Sequence, residues 1–163
     1  MNQTIRLSPV RKTIVVQASP EDAFAVFTAR IDRWWPKTHG IGSAPIRESI
    51  IEPFVGGRWY TKCDDNTHAV IGHVRAWHPG ERLVVGWEIN AHWKPDARVA
   101  FASEVEVRFI AEETGGTRVE LEHRNFELMG AVEGETMRRH VDSGWPGILE
   151  LFANETSGGV RPS

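Results

Sequence analysis

From Glu133 to Asn154 the sequence reads EGETMRRHVDSGWPGILELFAN. Within this stretch, large apolar side chains recur at steps of four, four, three and four residues. These residues are Met137, Val141, Trp145, Ile148 and Phe152. Such spacing places them on one face of an α-helix, so the stretch predicts a long amphipathic helix near the C-terminus. That apolar face needs a partner surface, which the preceding strands supply.

Most of the preceding sequence is typical of short strands separated by turns. A β-branched segment at 12–18 leads into Ser19-Pro20-Glu21-Asp22, which predicts a helix capped by Ser19. A second short helix is expected over 30–35. Further strands are expected at 46–52, 58–63, 68–77, 82–89, 103–112 and from 117 onward. The predicted fold is therefore α+β, with a curved antiparallel sheet wrapped around the long C-terminal helix.

The hairpin formed by 68–77 and 82–89 can be aligned from its pattern. A four-residue turn would place Trp77 opposite Arg82 and Val74 opposite Val85. In this alignment one face is apolar throughout, and Trp77 lies on the other, outer face beside Arg75.

The next hairpin shows strict alternation of apolar and charged residues before Gly115-Gly116. A three-residue loop would pair Phe109 with Leu121 and Val107 with His123. The same alignment places three pairs of opposite charge on the outer face. They are Glu112 with Arg118, Arg108 with Glu122, and Glu106 with Arg124.

Composition and length limit the class of protein. A chain of 163 residues predicts one domain over 1–163, with its core at about 10–155. The net charge of −3 comes from interleaved acids and bases, so no nucleic-acid partner is expected. The single cysteine, Cys63, excludes an internal disulfide framework, and neither a metal nor a cofactor is expected. The absence of a long apolar run predicts no membrane insertion and a cytoplasmic location. A homodimer is left open.

Several segments occur together in a recognisable order. They are Ala18-Ser19-Pro20-Glu21, Gly56-Gly57-Arg58-Trp59, Gly72-His73-Val74 with Pro79 and Arg82-Leu83, the run from Gly116 to His123, and Gly144-Trp145. Over about residues 10 to 155 this set resembles the START-like, helix-grip (SRPBCC) superfamily. The sequence is most similar to its heat-shock ATPase activator homologue branch, also described as polyketide-cyclase-like. The eukaryotic activator has an additional N-terminal domain, so co-chaperone activity is not expected here.

The resemblance implies a deep apolar cavity gripped by the C-terminal helix. Relatives bind lipids, sterols, polyketides or plant hormones, and a minority catalyse cyclisation or dehydration. Strand parity and the helix stripe indicate which side chains line the cavity. They are Trp59, Val74, Val85, Trp87, Val107, Phe109, Leu121, His123, Met137, Val141 and Trp145.

Three functional hypotheses follow, and the first is favoured. The chain binds a small hydrophobic molecule in the cavity, with Glu88, His92 and Arg98 near its mouth. Alternatively it is a cyclase or dehydratase in which the inward His123 is the acid or base. The competing interpretation of His123 is a buried, neutral histidine satisfied by the protein. A third hypothesis is an interaction or stress-response module without a small ligand, for which an exposed Trp77 would be the main argument.

Overall fold

The seven strands and two α-helices follow one another in the predicted order. In a computed structural model, which describes residues 6–37 and 44–157, they are bounded as follows. They are β1 (Val10–Val16), α1 (Pro20–Thr28), β2 (Ile46–Ile51), β3 (Arg58–Cys63), β4 (His68–His78), β5 (Arg82–Trp87), β6 (Ser103–Ala111), β7 (Thr117–Arg124) and α2 (Ala131–Thr156). Short 3₁₀ turns lie at Ile31–Arg33, Val99–Phe101 and Phe126–Met129.

The strands form a single antiparallel sheet in the order β1-β7-β6-β5-β4-β3-β2. The sheet is curled, and α2 packs against β1 and α1. All five residues of the predicted apolar stripe on α2 are buried. The predicted helix-grip architecture is therefore confirmed, with α2 two residues longer at each end than the sequence pattern indicated.

The first helix begins as its sequence predicts. The Ser19 hydroxyl accepts a hydrogen bond from the Asp22 N–H at 3.1 Å, and Pro20 occupies the first helical position. The second predicted helix, over 30–35, is only a 3₁₀ turn at Ile31–Arg33. This turn packs against β2 at the edge of the sheet.

The register of the β4–β5 hairpin differs from the prediction near its turn. Val74 lies opposite Val85 as expected, but a β-bulge between Val74 and Ala76 places Trp77 opposite Leu83. The predicted pairing of Trp77 with Arg82 is therefore wrong. The bulge also turns Trp77 inward, where its ring meets Phe24 edge-on at 5.0 Å. Trp77 is consequently not the exposed outer residue that the alternation predicted.

The β6–β7 hairpin is shifted by two residues from the predicted register. Phe109 pairs with Val119 and Val107 with Leu121, because the loop between the strands spans 112–116 rather than three residues. A shift of two residues keeps every side chain on its predicted face. Two of the three predicted charge pairs still form, since long side chains reach diagonally. These are Arg118 with Glu112 at 2.6 Å and Arg124 with Glu106 at 2.5 Å.

We expect Gly72→Ala to destabilise the fold strongly. A Cβ added to Gly72 would lie 1.6 Å from the carbonyl oxygen of Gly86, where the backbones of β4 and β5 approach closely. Backbone rather than a flexible side chain blocks this position, so the expected loss is about 3 kcal/mol or more of unfolding free energy. Denaturant unfolding measures this loss.

Gly144→Ala is the matched control. A Cβ at this helical glycine meets nothing within 4 Å, and alanine is favoured over glycine in a helix by up to about 1 kcal/mol. The control should therefore be neutral or stabilising. A Gly72→Ala protein as stable as the control would contradict the close approach of the two strands.

Candidate ligand site in the aromatic interior

The side chains predicted to line a cavity all lie between the sheet and α2. None of them is more than 5 % exposed. Apart from His123, they belong to one continuous apolar core that also includes α1. The structure thus brings the predicted residues together, while their contact with a ligand stays a prediction.

Four tryptophans form a closed ring of contacts in this interior, here called the indole quartet. The quartet consists of Trp35, Trp59, Trp87 and Trp145. Successive ring centroids lie 5.0 Å (35 to 59), 5.8 Å (59 to 87), 5.8 Å (87 to 145) and 6.2 Å (145 to 35) apart. Interplanar angles of 58–81° make these contacts tilted or edge-to-face, the geometry that aromatic quadrupoles favour.

The quartet joins elements that are distant in sequence. Trp59 comes from β3, Trp87 from the end of β5, and Trp145 from the middle of α2. Trp35 follows the 3₁₀ turn at Ile31–Arg33 and was missed by the sequence reasoning. The short helix predicted over 30–35 is too brief to show which of its side chains face inward, and only the adjacent Trp34-Trp35 pair could have drawn attention to it.

Three of the four indole N–H groups have no hydrogen-bond partner among the residues that the structure describes. They belong to Trp35, Trp59 and Trp87, and all three are buried. By contrast, the neighbouring Trp34 donates to the Val26 carbonyl at 2.8 Å. A buried donor left unpaired costs about 1–3 kcal/mol. The three unpaired donors of the quartet lie on rings that are in mutual contact.

The fourth indole, Trp145, donates to Nδ1 of His123 at 3.1 Å. Nδ1 is then an acceptor, so the ring proton lies on Nε2, which donates to the Ser103 hydroxyl at 2.8 Å. Burial lowers the pKa of His123 to about 3. His123 is thus neutral with both ring nitrogens engaged, and this geometry leaves no lone pair free for a general base.

A pocket of about 160 Å³ opens where the connection between β5 and β6 meets the start of α2. We call it the mouth pocket. It is lined by Trp87, Glu88, Ile89, Asn90, Asp96, Arg98, Phe101, Ala102, Met129 and Glu133. Trp87 belongs to both the mouth pocket and the indole quartet, so the pocket leads toward the unpartnered donors.

Two of the four charged residues at the mouth, Asp96 and Arg98, are paired with each other. Arg98 forms two hydrogen bonds with the Asp96 carboxylate, at 2.9 and 2.6 Å, and these bonds hold the pKa of Asp96 below its usual range. The same guanidinium lies 5.0 Å over the Phe101 ring, which is 51 % exposed. Of the residues predicted near the mouth, Glu88 and Arg98 line it. His92 does not line the pocket; its Nε2 lies 3.9 Å from a carboxylate oxygen of Glu133.

Within residues 6–37 and 44–157, no helix is long and apolar enough to cross a membrane. The same residues contain no group of three or more histidine, cysteine or acidic side chains placed to hold a metal ion.

The curled sheet gripping a long helix around an aromatic interior defines a helix-grip protein of the SRPBCC type. A family model for the Activator of Hsp90 ATPase homolog 1-like proteins matches residues 17–156. The chain belongs to this family. The curated proteins contain no match to it.

Solved structures resemble the chain over nearly its whole length. The anthrahydroquino-gamma-pyrone synthase Txn09 is 39 % identical, with 91 % of this chain and 97 % of that one covered and a TM-score of 0.64. The self-sacrificing resistance protein CalC from Micromonospora echinospora is 27 % identical, with 95 % and 97 % covered and a TM-score of 0.68. Protein MLL2253 from Mesorhizobium loti, at 19 % identity, 95 % and 100 % coverage and a TM-score of 0.67, shares the fold.

We expect the unfolding free energy to fall as the pH drops from 7 to 5. The folded pKa of His123, about 3, lies below its ordinary value of 6.5, so in this range the unfolded chain binds a proton that the folded chain does not. Its contribution is complete above pH ~6.5 and is lost progressively toward pH ~3. Between pH 7 and 5 the loss is about 2 kcal/mol, measurable by denaturant unfolding.

His123→Gln is the control for this pH dependence, because glutamine does not titrate. The variant should be less stable at pH 7 but should lose less stability on going to pH 5. Burial raises the pKa of Glu106, but hydrogen bonds from three arginines outweigh this and lower the pKa to about 2. Its contribution is therefore lost mainly below pH ~4.5. An equally steep fall in the variant would show that His123 is not the group responsible.

Proposed function

We propose that the chain binds a small, largely aromatic molecule carrying oxygen acceptors, held between the sheet and α2. The observation that carries this proposal is the set of three unpartnered indole N–H groups within one aromatic cluster. Indole nitrogens are donors only. Their natural partner is therefore a carbonyl or other oxygen of a bound molecule.

The chemistry of the interior favours an oxygenated aromatic over a saturated lipid. An alkyl chain would bury the same surface but would leave all three N–H groups unpaired, at the cost given above. A flat aromatic ring also fits the edge-to-face arrangement of the quartet. Similarity to a gamma-pyrone synthase supports this class, because a pyrone is an oxygenated ring.

Entry of such a molecule requires the interior to open. The mouth pocket, at about 160 Å³, is smaller than typical ligand cavities of about 300–1,000 Å³. The quartet rings are in mutual contact, so a ligand reaches Trp35 and Trp59 only if Trp87 moves aside. Binding is therefore expected to include displacement of Trp87 at the inner end of the mouth pocket.

A cyclase-type enzyme is the second candidate. The 39 % identity with a synthase over nearly the full chain favours it. In this structure both ring nitrogens of His123 are hydrogen-bonded, to Trp145 and to Ser103. If His123 nevertheless acts as the acid or base, His123→Gln should abolish turnover and leave ligand affinity nearly intact.

The third hypothesis, an interaction module without a ligand, has lost its main argument, because Trp77 packs against Phe24.

Tryptophan-to-phenylalanine variants test the proposed binding function. Trp59→Phe and Trp87→Phe each remove an unpartnered N–H, whereas Trp34→Phe removes one that is bonded to Val26. We expect each of the first two to weaken binding of xanthone, a three-ring gamma-pyrone, about fivefold by calorimetry, as the loss of one hydrogen bond predicts. Xanthene, which lacks the carbonyl, should bind the wild type and both variants with similar affinity.

Trp34→Phe is the matched control for the ring atoms removed. It should bind xanthone like the wild type. Without ligand the Trp34→Phe protein should be about 1–2 kcal/mol less stable than the Trp59→Phe protein, because only the loss of the Trp34 N–H leaves a carbonyl, that of Val26, unpaired. No binding of xanthone or related quinones and flavones to the wild type would overturn the proposal. Equal affinities for xanthone and xanthene would show that the indole N–H groups do not meet the ligand.

A further inference from the structure

Two buried hydroxyl groups face each other on the inner side of the sheet. Ser49 on β2 pairs directly with Thr61 on β3, and they are 2 % and 0 % exposed. Neither hydroxyl has a hydrogen-bond partner within residues 6–37 and 44–157. Thr61 lies two residues from Trp59 on the same strand, so both side chains point to the same face.

Local structure does not account for these two hydroxyls. The other buried serine and threonine hydroxyls in the described part of the chain have protein partners. Thr28 donates to the Phe24 carbonyl at 2.7 Å, and Thr117 donates to the Ala18 carbonyl at 2.7 Å. The Asp32 carboxylate accepts the backbone N–H of Ser49 at 2.9 Å but no hydrogen bond from its hydroxyl. Ser49 and Thr61 are thus exceptions in an interior that otherwise satisfies its hydroxyls.

The hydroxyl pair lies next to the indole quartet, two residues further along the ladder of β2 and β3. Trp59 is opposite Ile51 in the same ladder in which Thr61 is opposite Ser49, and the Trp59 ring meets Trp35 at 5.0 Å. The mouth pocket instead reaches the quartet through Trp87 on β5. The pair therefore lies on the side of the quartet away from the mouth, toward the sheet edge formed by β2.

We propose that Ser49 and Thr61 form a polar subsite that binds a phenolic hydroxyl at the inner end of the ligand. Indole N–H groups can only donate, but the hydroxyls of serine and threonine both donate and accept. A ligand group that also does both satisfies the pair completely. The subsite rests on the proposed function and specifies it: the ligand carries a carbonyl for the quartet and a phenol beyond it.

Affinity measurements with matched ligands test the subsite. Calorimetry compares xanthone with 3-hydroxyxanthone, which adds a phenol to the same three rings. Wild-type protein should bind the hydroxylated compound about tenfold more tightly, as one or two added hydrogen bonds predict. The double variant Ser49→Ala/Thr61→Val should lose this preference and keep its affinity for xanthone. A preference that persists in the double variant, or that is absent from the wild type, would overturn the subsite.

The outcomes separate the subsite from the proposed function. If Trp59→Phe weakens xanthone binding but the double variant changes nothing, the function stands and the subsite is wrong. If neither compound binds the wild type, the proposed function fails and the subsite fails with it.

Stability without ligand provides a second, independent test. Thr61→Val removes an unpartnered hydroxyl and Thr28→Val removes a bonded one, and both exchanges keep the side-chain shape. Thr28→Val should lower the thermal midpoint by about 2–4 °C, while Thr61→Val should leave it unchanged or raise it. The same contrast is expected for two serines. Ser49→Ala removes an unpartnered hydroxyl, whereas Ser103→Ala removes a hydroxyl that accepts a hydrogen bond from His123. A loss at Thr61 equal to that at Thr28 would show a protein partner and overturn the subsite.

Discussion

The hydrogen bond from Trp145 to His123 fixes the long helix to the sheet, and the interior depends on it. Trp145 lies in the middle of α2, His123 lies on β7, and His123 in turn reaches Ser103 on β6. One chain of bonds thus connects the helix to two adjacent strands. Because it is fully buried, no water competes for these groups, and losing one partner would leave another unpaired. The bond also positions Trp145, whose ring contacts both Trp35 and Trp87 of the quartet.

An interior built in this way balances two requirements. Large aromatic side chains bury much surface and stabilise the fold. Several of them nevertheless carry polar groups that the protein does not satisfy, which lowers its stability. The balance is understandable for a binding protein, since a molecule that supplies the missing acceptors returns the lost stability on binding.

The sequence predicted those features that depend on periodicity. The stripe on α2 follows from its 3.6-residue period, and the inward faces of the strands follow from alternation. Alternation does not encode loop length or bulges, so the registers of both hairpins were wrong in detail. The two-residue shift at Phe109 preserved its face, whereas the bulge after Val74 turned Trp77 inward. Trp35 and the unpartnered hydroxyl of Thr61 could not be predicted, because hydrogen-bond partners depend on segments far apart in the chain.

The bond from the Ser49 N–H to Asp32 has a consequence for how the protein meets other proteins. β2 is the last strand of the sheet, and the outward backbone groups of such a strand can pair with a strand of another molecule. Asp32 occupies one of these groups, and the 3₁₀ turn that carries it lies against the strand. The turn that leads to Trp35 therefore also acts against aggregation. One short turn thus both places Trp35 in the interior and covers part of the open edge of the sheet.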